Sequence, residues 1–266
     1  RFEKMFSKIH QVKYSIFMNS GTSALHLALT TLKYKYNWQV QDEVLVPAVT
    51  FVATSNIVLH NNLIPRFVDV ENNTYNIDPD KIEKRITKKT KAIIVVHLLG
   101  LPASMSKILK IAKKYNLKII EDSAECMFAK YKNKSVGSFG DIGCFSTYIA
   151  HYLVTGIGGF ATTNNINLAT NLRSLMNHGR DVIYTSSTDD SNLNKKQLEK
   201  VVKKRFNFVK IGHSMRCTEM ESALGIGQLQ RHKKTIKRRK QVANIYLSEF
   251  SKYQDRMQLP TTPDDR

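Results

Sequence analysis

A histidine lies in the loop FSTYIAHYLVTGIGGF, residues 145–160. The loop begins with the hydroxyl groups of Ser146 and Thr147 and ends in glycines that permit tight turns. A cofactor-binding loop of this kind usually carries an amine, but its centre is His151, and no lysine occurs from residue 135 to residue 194. Imidazole takes up and returns protons near neutral pH, so His151 could serve as a general base, although a lone histidine is more often structural. A structural loop histidine is the alternative.

A second segment, NSGTSALHLAL, could bind a phosphate group. Gly21, Thr22 and Ser23 form a turn directly before a helical pattern. Backbone N–H groups, hydroxyl groups and the positive end of a helix dipole all favour a phosphate at such a place. The alternative is an ordinary helix cap by Thr22 or Ser23.

Two further segments could hold a cationic ring. Glu121 and Asp122 follow the apolar run LKII, and Glu125 comes three residues later. A carboxylate at the end of a strand can hold a cationic ring nitrogen, and Phe51, after the run EVLVPA, could stack on such a ring. The alternatives are surface acids, helix caps and a core phenylalanine.

The elements that would position these residues alternate between strand and helix. Apolar runs predict seven strands, at 14–19, 43–48, 64–70, 91–98, 117–123, 142–148 and 158–164. Helical spacing predicts helices at 23–34, 54–61, 78–86, 104–115, 167–176 and 218–252, with an exposed polar loop at 185–196. This alternation predicts an α/β fold with a mostly parallel sheet between helices. Ligands bind such sheets beyond the carboxyl ends of the strands, where the candidate residues lie.

Composition and charge limit the classes of protein to which this chain can belong. The chain has 266 residues and 42% hydrophobic residues, and no apolar run reaches the length of a membrane span. Its net charge of +19 could attract nucleic acid, but the lysines are spread widely and the densest run, 231–240, contains no aromatic residue. We therefore favour solvated helix faces and expect no nucleic-acid or membrane partner. The first residues lack the apolar core of a signal peptide, and both ends suggest a fragment.

Cysteine usage predicts a reducing compartment, the cytoplasm. Cys126, Cys144 and Cys217 are odd in number and widely spaced, which argues against a disulfide framework. Three thiolates are too few for an iron–sulfur cluster with four cysteine ligands. We expect no metal site.

The order of the motifs is more specific than any one of them. NSGTSAL, PAVTFVATSN, EDSAE, VGSFGDIGCFS and TGIGGFATTN occur in this order, each at a predicted strand end. With MNHGRD and RFNFVKIGHSMRCTEMESALGIGQL, this pattern resembles the DegT/DnrJ/EryC/StrS sugar aminotransferases, which are pyridoxal phosphate enzymes of fold type I. The resemblance runs from about residue 13 to residue 230. It implies a cofactor-binding large domain at 1–235, without its N-terminal segment. Residues 236–266 would be a long helix and the start of a small C-terminal domain that is largely missing.

The resemblance also implies how the cofactor phosphate is held. The turn of Gly21, Thr22 and Ser23 matches the segment that binds it in the family, and Ser146 matches a second phosphate ligand. Ser214 departs from the pattern, because aminotransferases usually have an asparagine there that reaches the partner subunit's cofactor phosphate. Ile157 departs as well, at a position that is usually glutamate.

The ring of the cofactor would have its own ligands. By resemblance, Phe51 stacks on the pyridine ring, and Asp122 pairs with the ring nitrogen and keeps it protonated. Glu125 occupies a position near the ring hydroxyl that is usually glutamine or histidine. His151 replaces the lysine that binds the cofactor covalently in aminotransferases.

That replacement is the mark of the 3-dehydratase branch of the family. The implied reaction removes the C3 hydroxyl of a nucleoside-diphosphate 4-keto-6-deoxyhexose, with GDP-4-keto-6-deoxymannose, the precursor of colitose, as the expected substrate. The cofactor would work as pyridoxamine phosphate and end as pyridoxal phosphate, and glutamate would restore the amino form. The resemblance further implies a homodimer. A sister branch uses an iron–sulfur cluster, but residues 178–206 contain no cysteine, so we reject that branch.

Three other functions remain open from the sequence. The chain could be a sugar aminotransferase whose lysine comes from elsewhere. It could be a catalytically inactive homologue, since Ser214 replaces the usual asparagine. It could also be a nucleic-acid binder, although its charge is diffuse and it has no recognised binding motif.

Overall fold

The structure is a computed structural model that describes residues 1–181, 193–204, 206–261 and 263. Residues 182–192 of the expected polar loop lie outside the described residues, and residues 195 and 196 belong to a helix. The strands are β1 Tyr14–Met18, β2 Glu43–Pro47, β3 Ile64–Val68, β4 Thr90–Val96, β5 Lys118–Asp122, β6 Lys130–Tyr131, β7 Lys134–Ser135, β8 Ile142–Ser146 and β9 Gly159–Thr163. The helices are α1 Phe2–Ile9, α2 Gly21–Tyr36, α3 Ala53–His60, α4 Pro79–Ile82, α5 Met105–Lys114, α6 Ile166–Met176, α7 Lys195–Lys204 and α8 Glu219–Phe250.

One seven-stranded sheet organises the fold, in the order β1-β9-β8-β5-β4-β2-β3. Strands β3, β2, β4, β5 and β8 run parallel, whereas β9 is antiparallel to both of its neighbours. Because β9 is antiparallel to both β8 and β1, those two strands run in the same direction. The predicted α/β class and the mostly parallel sheet are confirmed, and the carboxyl ends of β1, β4, β5 and β8 lie along one edge.

Two buried layers cover the faces of the sheet. On one face, α2, α3 and α6 pack on the strands, with Leu27, Leu32 and Ile57 among the buried side chains. On the other face, α5 packs on β4 and β5 through residues such as Ile108. The strands are therefore apolar on both sides, which is why they read as continuous apolar runs rather than as alternating patterns.

Helix α1 and the hairpin of β6 and β7 were not predicted. Phe2 and Phe6 are the buried residues of α1, and the Phe6 ring stacks on the Phe160 ring with centroids 3.8 Å apart. The four apolar residues of α1 have helical spacing, but one eight-residue stretch is shorter than the window of about 11–18 residues in which such a pattern is recognised. A salt bridge between Glu3 and Arg173, 2.6 Å long, also fastens α1 to α6.

The predicted division into two domains at residue 235 falls inside α8. This helix begins with a capping box, in which Thr218 and Glu221 satisfy each other's backbone N–H groups. It buries Gly225 and Leu229, while Ile245, Tyr246 and Phe250 near its end are exposed. The division itself stays a prediction. No helix in the described ranges is long and apolar enough to cross a membrane.

A fully buried histidine makes the stability of this fold sensitive to acid. His10 stacks on Phe6, and its Nδ1 lies 3.0 Å from Ser135 Oγ. Burial, with a smaller effect of the His232 charge, lowers the pKa of His10 from 6.5 to about 3. Between those values the unfolded chain binds a proton that the folded chain does not.

We therefore expect the free energy of unfolding to fall as the pH decreases from 6.5 towards 3. The contribution of His10 is at most about 1.4 kcal/mol per pH unit, and His10→Asn should remove it. His178→Asn is the matched control, because His178 is exposed. Urea unfolding at pH 7, 6 and 5 measures the slopes. Equal slopes for His10→Asn and the parent chain would contradict this assignment.

Candidate active site

Three backbone segments meet at the carboxyl end of β8. A Cβ atom at Gly21 would lie 2.7 Å from Ser146 Cβ, and one at Gly159 would lie 2.4 Å from the Gly21 backbone nitrogen. Real Cβ atoms do not approach other atoms so closely, so both positions require glycine. This contact places the first turn of α2 against the end of β8. The predicted phosphate ligands Gly21 and Ser146 are thus brought together.

The first turn of α2 is capped by a residue that the sequence did not single out. Ser20 is the N-cap, and its hydroxyl oxygen accepts a hydrogen bond from the Ser23 backbone N–H at 2.9 Å. Ser23 is buried, and its hydroxyl group donates to Asn19 Oδ1. Thr22 is exposed. Thr22 is therefore the hydroxyl of this turn that faces outward, whereas Ser23 already serves the cap.

Asp122 ends β5 beneath the start of α3. Its carboxylate accepts hydrogen bonds from Thr54 Oγ1 at 2.9 Å and from the Ala124 backbone N–H at 3.3 Å. Burial raises the pKa of Asp122, and the bonds from Thr54 and Ala124 offset part of that effect. A buried carboxylate with so few donors is stabilised by a cationic partner. A protonated pyridine nitrogen is such a partner.

Phe51 stands immediately before the same helix. Its side chain is 70% exposed, and its backbone oxygen accepts from the N–H of Thr54 at 3.1 Å. Thr50 Oγ1 lies 2.8 Å from Thr54 Oγ1. Thr54 therefore links the backbone of Phe51 to the carboxylate of Asp122. An exposed aromatic ring in this position is available to stack on a planar group.

Glu125 lies in the loop that follows β5. Its Oε2 accepts a hydrogen bond of 2.7 Å from the backbone N–H of Leu99. Its negative charge raises the pKa of Asp122 and also raises that of His151, so it is close to both. Glu125 is thus within electrostatic range of two other residues predicted at the ring site, Asp122 and His151.

His151 is half-buried in the loop between β8 and β9. Its backbone N–H donates to the Tyr148 oxygen at 2.9 Å, and its ring lies edge-on to the Tyr148 ring. Burial is the largest influence and lowers the pKa of His151, and Arg239 lowers it further, against the effect of Glu125. The imidazole is therefore neutral at physiological pH and can accept a proton.

Glu121, the neighbour of Asp122, faces the opposite side of the sheet. Its carboxylate is fully buried and accepts backbone hydrogen bonds from Gly137, Phe139 and Gly140. His97 Nε2 lies 3.1 Å away. Adjacent residues of a strand point to opposite faces, so only one carboxylate of this pair can face the site. Glu121 fastens the 137–140 turn, and Asp122 faces the site.

The two departures from the family pattern lie near the same edge. Ile157 is 53% exposed on the loop that carries His151. Ser214 forms an isolated bridge with Asn177, and its hydroxyl oxygen lies 3.4 Å from an Arg216 nitrogen. In the described residues, no group of three or more histidine, cysteine or acidic side chains could hold a metal ion. All three cysteines are free thiols.

The fold is that of the pyridoxal phosphate-dependent enzymes of fold type I. Residues 1–266 match the model of the DegT/DnrJ/EryC1/StrS aminotransferase family, and the chain belongs to this family. The residues fit the cofactor, since the glycine contacts leave room only for backbone beside the phosphate position and Asp122 offers a buried carboxylate.

Relatives of this chain include a synthase and a dehydratase that are both named for GDP-sugars. It is 35% identical to GDP-perosamine synthase of Caulobacter vibrioides over 97% of this chain and 63% of the relative. It is 34% identical to GDP-4-keto-6-deoxy-D-mannose 3-dehydratase of Yersinia pseudotuberculosis, over 95% of this chain and 64% of the relative. The chain thus spans about three fifths of the length of its curated relatives.

A solved structure supports the same fold. The E. coli GDP-4-keto-6-deoxy-D-mannose-3-dehydratase with bound hydrated PLP superposes with a TM-score of 0.83 at 32% sequence identity. The alignment covers 94% of this chain and 64% of that one. The fold type I assignment is therefore confirmed.

The glycine contact gives a direct test of the phosphate position. Gly21→Ala places a methyl group 2.7 Å from Ser146 Cβ and should push α2 away from β8. We expect the affinity for pyridoxal phosphate to fall at least about tenfold, the loss of one or more charge-assisted hydrogen bonds. Equilibrium dialysis measures the affinity.

The matched control is Gly227→Ala in α8, where a Cβ atom would meet nothing within 4 Å. This change should leave cofactor affinity unchanged. Unchanged affinity in Gly21→Ala, with the fold intact by circular dichroism, would remove Gly21 from the phosphate site.

Proposed function

We propose that this chain is a pyridoxamine phosphate-dependent 3-dehydratase of a nucleoside-diphosphate 4-keto-6-deoxyhexose, with GDP-4-keto-6-deoxymannose as its substrate and glutamate as amino donor. The observation that carries the proposal is His151. It stands on the active-site loop where aminotransferases of this family have lysine, and the sequence from residue 135 to residue 194 contains no lysine. A 3-dehydratase of the named substrate is among the relatives, at 34% identity.

The chain would hold the cofactor entirely without a covalent bond. Gly21, Thr22 and Ser146 would bind its phosphate, together with the N-terminus of α2 and with Ser23 as part of the cap. When bound, the cofactor would supply an electron sink that makes the C3–O bond of the sugar easier to break. Asp122 would keep the ring nitrogen protonated, which that role requires.

His151 would move the proton at C4′ of the cofactor. Burial and the nearby Arg239 charge lower its pKa, so the ring is ready to accept a proton at neutral pH. Glu125 has the opposite effect and stabilises the imidazolium that results. The same histidine would return the proton when glutamate restores the amino form.

Sugar aminotransferase is the second candidate, because the family model that matches residues 1–266 is that of an aminotransferase family. That reaction uses a lysine amine at the site. An inactive homologue is the third candidate, and Ser214 in place of asparagine is its main support.

We further propose a homodimer in the cytoplasm. Large apolar side chains are exposed around the site, among them Val49, Val52, Tyr148 and Ile149. A second copy of the chain would cover them, and exposed patches of this kind mark interfaces. The three free thiols agree with a reducing compartment.

The variant His151→Asn tests the role of the base. Asparagine keeps a polar side chain but cannot accept the proton, so we expect both the dehydration and the glutamate half-reaction to slow by about 10²–10⁴-fold. Cofactor binding should persist, because the phosphate site, Phe51 and Asp122 remain. The assay contains the chain, pyridoxamine phosphate, glutamate and GDP-4-keto-6-deoxymannose, with mass spectrometry for a 3-deoxy product.

The variant His151→Lys separates dehydratase from aminotransferase. A lysine here should divert the chain towards an aminated sugar product. Formation of the 3-deoxy sugar by His151→Asn at the parent rate would refute the dehydratase assignment of His151. An aminated sugar from the parent chain would favour the aminotransferase.

A further inference from the structure

Two histidines outside the candidate active site share a hydrogen bond. His26 is half-buried on α2, and its Nε2 lies 3.3 Å from the Nε2 of His213. The two rings stand nearly perpendicular, at 87°, with centroids 4.9 Å apart. A hydrogen bond needs one donor and one acceptor, so one of these nitrogens carries a hydrogen and the other does not.

The side chain of Asn61 determines which of the two rings donates. One of its terminal atoms lies 2.8 Å from the Ile57 backbone oxygen, which can only accept, so this atom is the amide nitrogen Nδ2. The same nitrogen lies 3.3 Å from His26 Nδ1, which therefore accepts and carries no proton. The proton of a neutral His26 is then on Nε2, and this N–H group donates to Nε2 of His213.

The charges around His26 are positive. Burial is the largest influence on its pKa, and the charges of His213 and His60 act in the same direction, so that the pKa falls from 6.5 to about 4. Helix α6 and the sheet also pack against α2, but no acidic side chain of the described residues contributes to this pKa. Lys33 of α2 and Arg216, three residues after His213, add further positive charge. Both rings must therefore be neutral for the bond to exist.

A proton on Nε2 of His213 would break this hydrogen bond. The nitrogen would lose its lone pair and turn an N–H group towards the N–H group of His26. Imidazole takes up protons as the pH falls below neutral, and no carboxylate stabilises a second positive charge beside His26 in the described part of the chain. The bond is thus present at neutral pH and is lost in acid.

Residues 213–215 lie between the end of α6 and the start of α2. The N–H groups of residues 213 and 215 donate to backbone oxygens of the last two residues of α6, at 2.7 and 3.0 Å. On the other side, the Met215 oxygen accepts from the Asn19 N–H at 2.9 Å. Asn19 Oδ1 accepts in turn from the Ser23 hydroxyl group at 2.6 Å. The position of residues 213–215 therefore bears on the first turn of α2.

We propose that His213 is a positioning residue of the cofactor phosphate site: its hydrogen bond with His26 holds residues 213–215 against Asn19, and protonation of the histidine pair releases them. The proposal rests on the proposed function, because the turn at Gly21 is the proposed phosphate site. It adds a proton-sensitive support to that turn from residues that would not touch the cofactor.

Three variants separate protonation from packing. His213→Gln keeps an acceptor oxygen for the His26 N–H group but cannot be protonated. His213→Ala removes the acceptor. The matched control is His178→Asn, because His178 is exposed and has a φ of 61°, a conformation that asparagine tolerates.

Amide hydrogen exchange at residues 213 and 215 measures the support directly, at pH 7.5 and pH 5.5, after correction for the intrinsic pH dependence of exchange. We expect protection in the parent and in His178→Asn to fall roughly two- to tenfold in acid, the effect of one hydrogen bond. His213→Gln should keep the same protection at both pH values, and His213→Ala should have low protection at both. An equal fall in the parent and His213→Gln, or parent-like protection in His213→Ala at pH 7.5, would overturn the proposal.

The affinity for pyridoxal phosphate, measured by equilibrium dialysis at the same two pH values, tests the connection to the phosphate site. A phosphate group gains a proton at about pH 6, which weakens binding to every variant alike. We expect an additional loss in acid of roughly two- to tenfold in the parent and His178→Asn, but not in His213→Gln. The same pH dependence in the parent and His213→Gln would show that His213 does not position the phosphate site.

Failure of this proposal is distinguishable from failure of the proposed function. If the parent chain forms the 3-deoxy sugar but its cofactor affinity has the pH dependence of His213→Gln, the positioning role is wrong and the dehydratase proposal stands. If the affinities differ as expected but only an aminated sugar forms, the positioning role stands and the dehydratase proposal is wrong.

Discussion

The site depends on how closely the backbone of α2 approaches the ends of β8 and β9. Gly21 and Gly159 have no side chain at the two points where any Cβ atom would collide. This contact brings the positive end of a sixteen-residue helix to the hydroxyl group of Ser146. The antiparallel strand β9 makes the contact possible, because it returns the chain from the His151 loop to the level of Ser146 and Met18.

Charge placement at the next strand determines what the site can do. The Glu121 carboxylate accepts hydrogen bonds from three backbone N–H groups, so it stabilises the 137–140 turn. Among the residues that the structure describes, Asp122 has one side-chain donor, Thr54, and burial raises the pKa of its carboxyl group. A cationic ring nitrogen beside Asp122 would lower the pKa of its carboxyl group and so stabilise the charged form. Two charged side chains act on the pKa of His151 in opposite directions: Glu125 raises it and Arg239 lowers it.

Much of this arrangement could be predicted because it is local in sequence. Each of the seven strands lies within two residues of its predicted bounds, since buried parallel strands appear as short apolar runs between turns. Asp122, Ser146 and the turn at Gly21 follow directly from strand ends. Their proposed roles towards the cofactor came from the resemblance and stay predictions.

The residues that the sequence missed depend on distant contacts. Ser20 was overlooked because three hydroxyl residues, Ser20, Thr22 and Ser23, stand within four positions, and only the backbone geometry shows which one caps the helix. Thr54 had a weak signal, three residues after Phe51 in the first turn of a helix. Arg239 had no signal in the sequence. It belongs to a basic run that is typical of a solvent-exposed helix face, and it contacts Tyr152 only through the packing of α8.

The central claim is that the chain holds its cofactor without a covalent bond, so that His151 is free to carry a proton. Reduction with borohydride in the presence of pyridoxal phosphate, followed by peptide mass spectrometry, tests it most directly. The account predicts no pyridoxyl adduct on residues 140–160 and none on any lysine at the site. A stoichiometric adduct on a lysine at the site would contradict it, because a lysine amine would then bind the cofactor covalently.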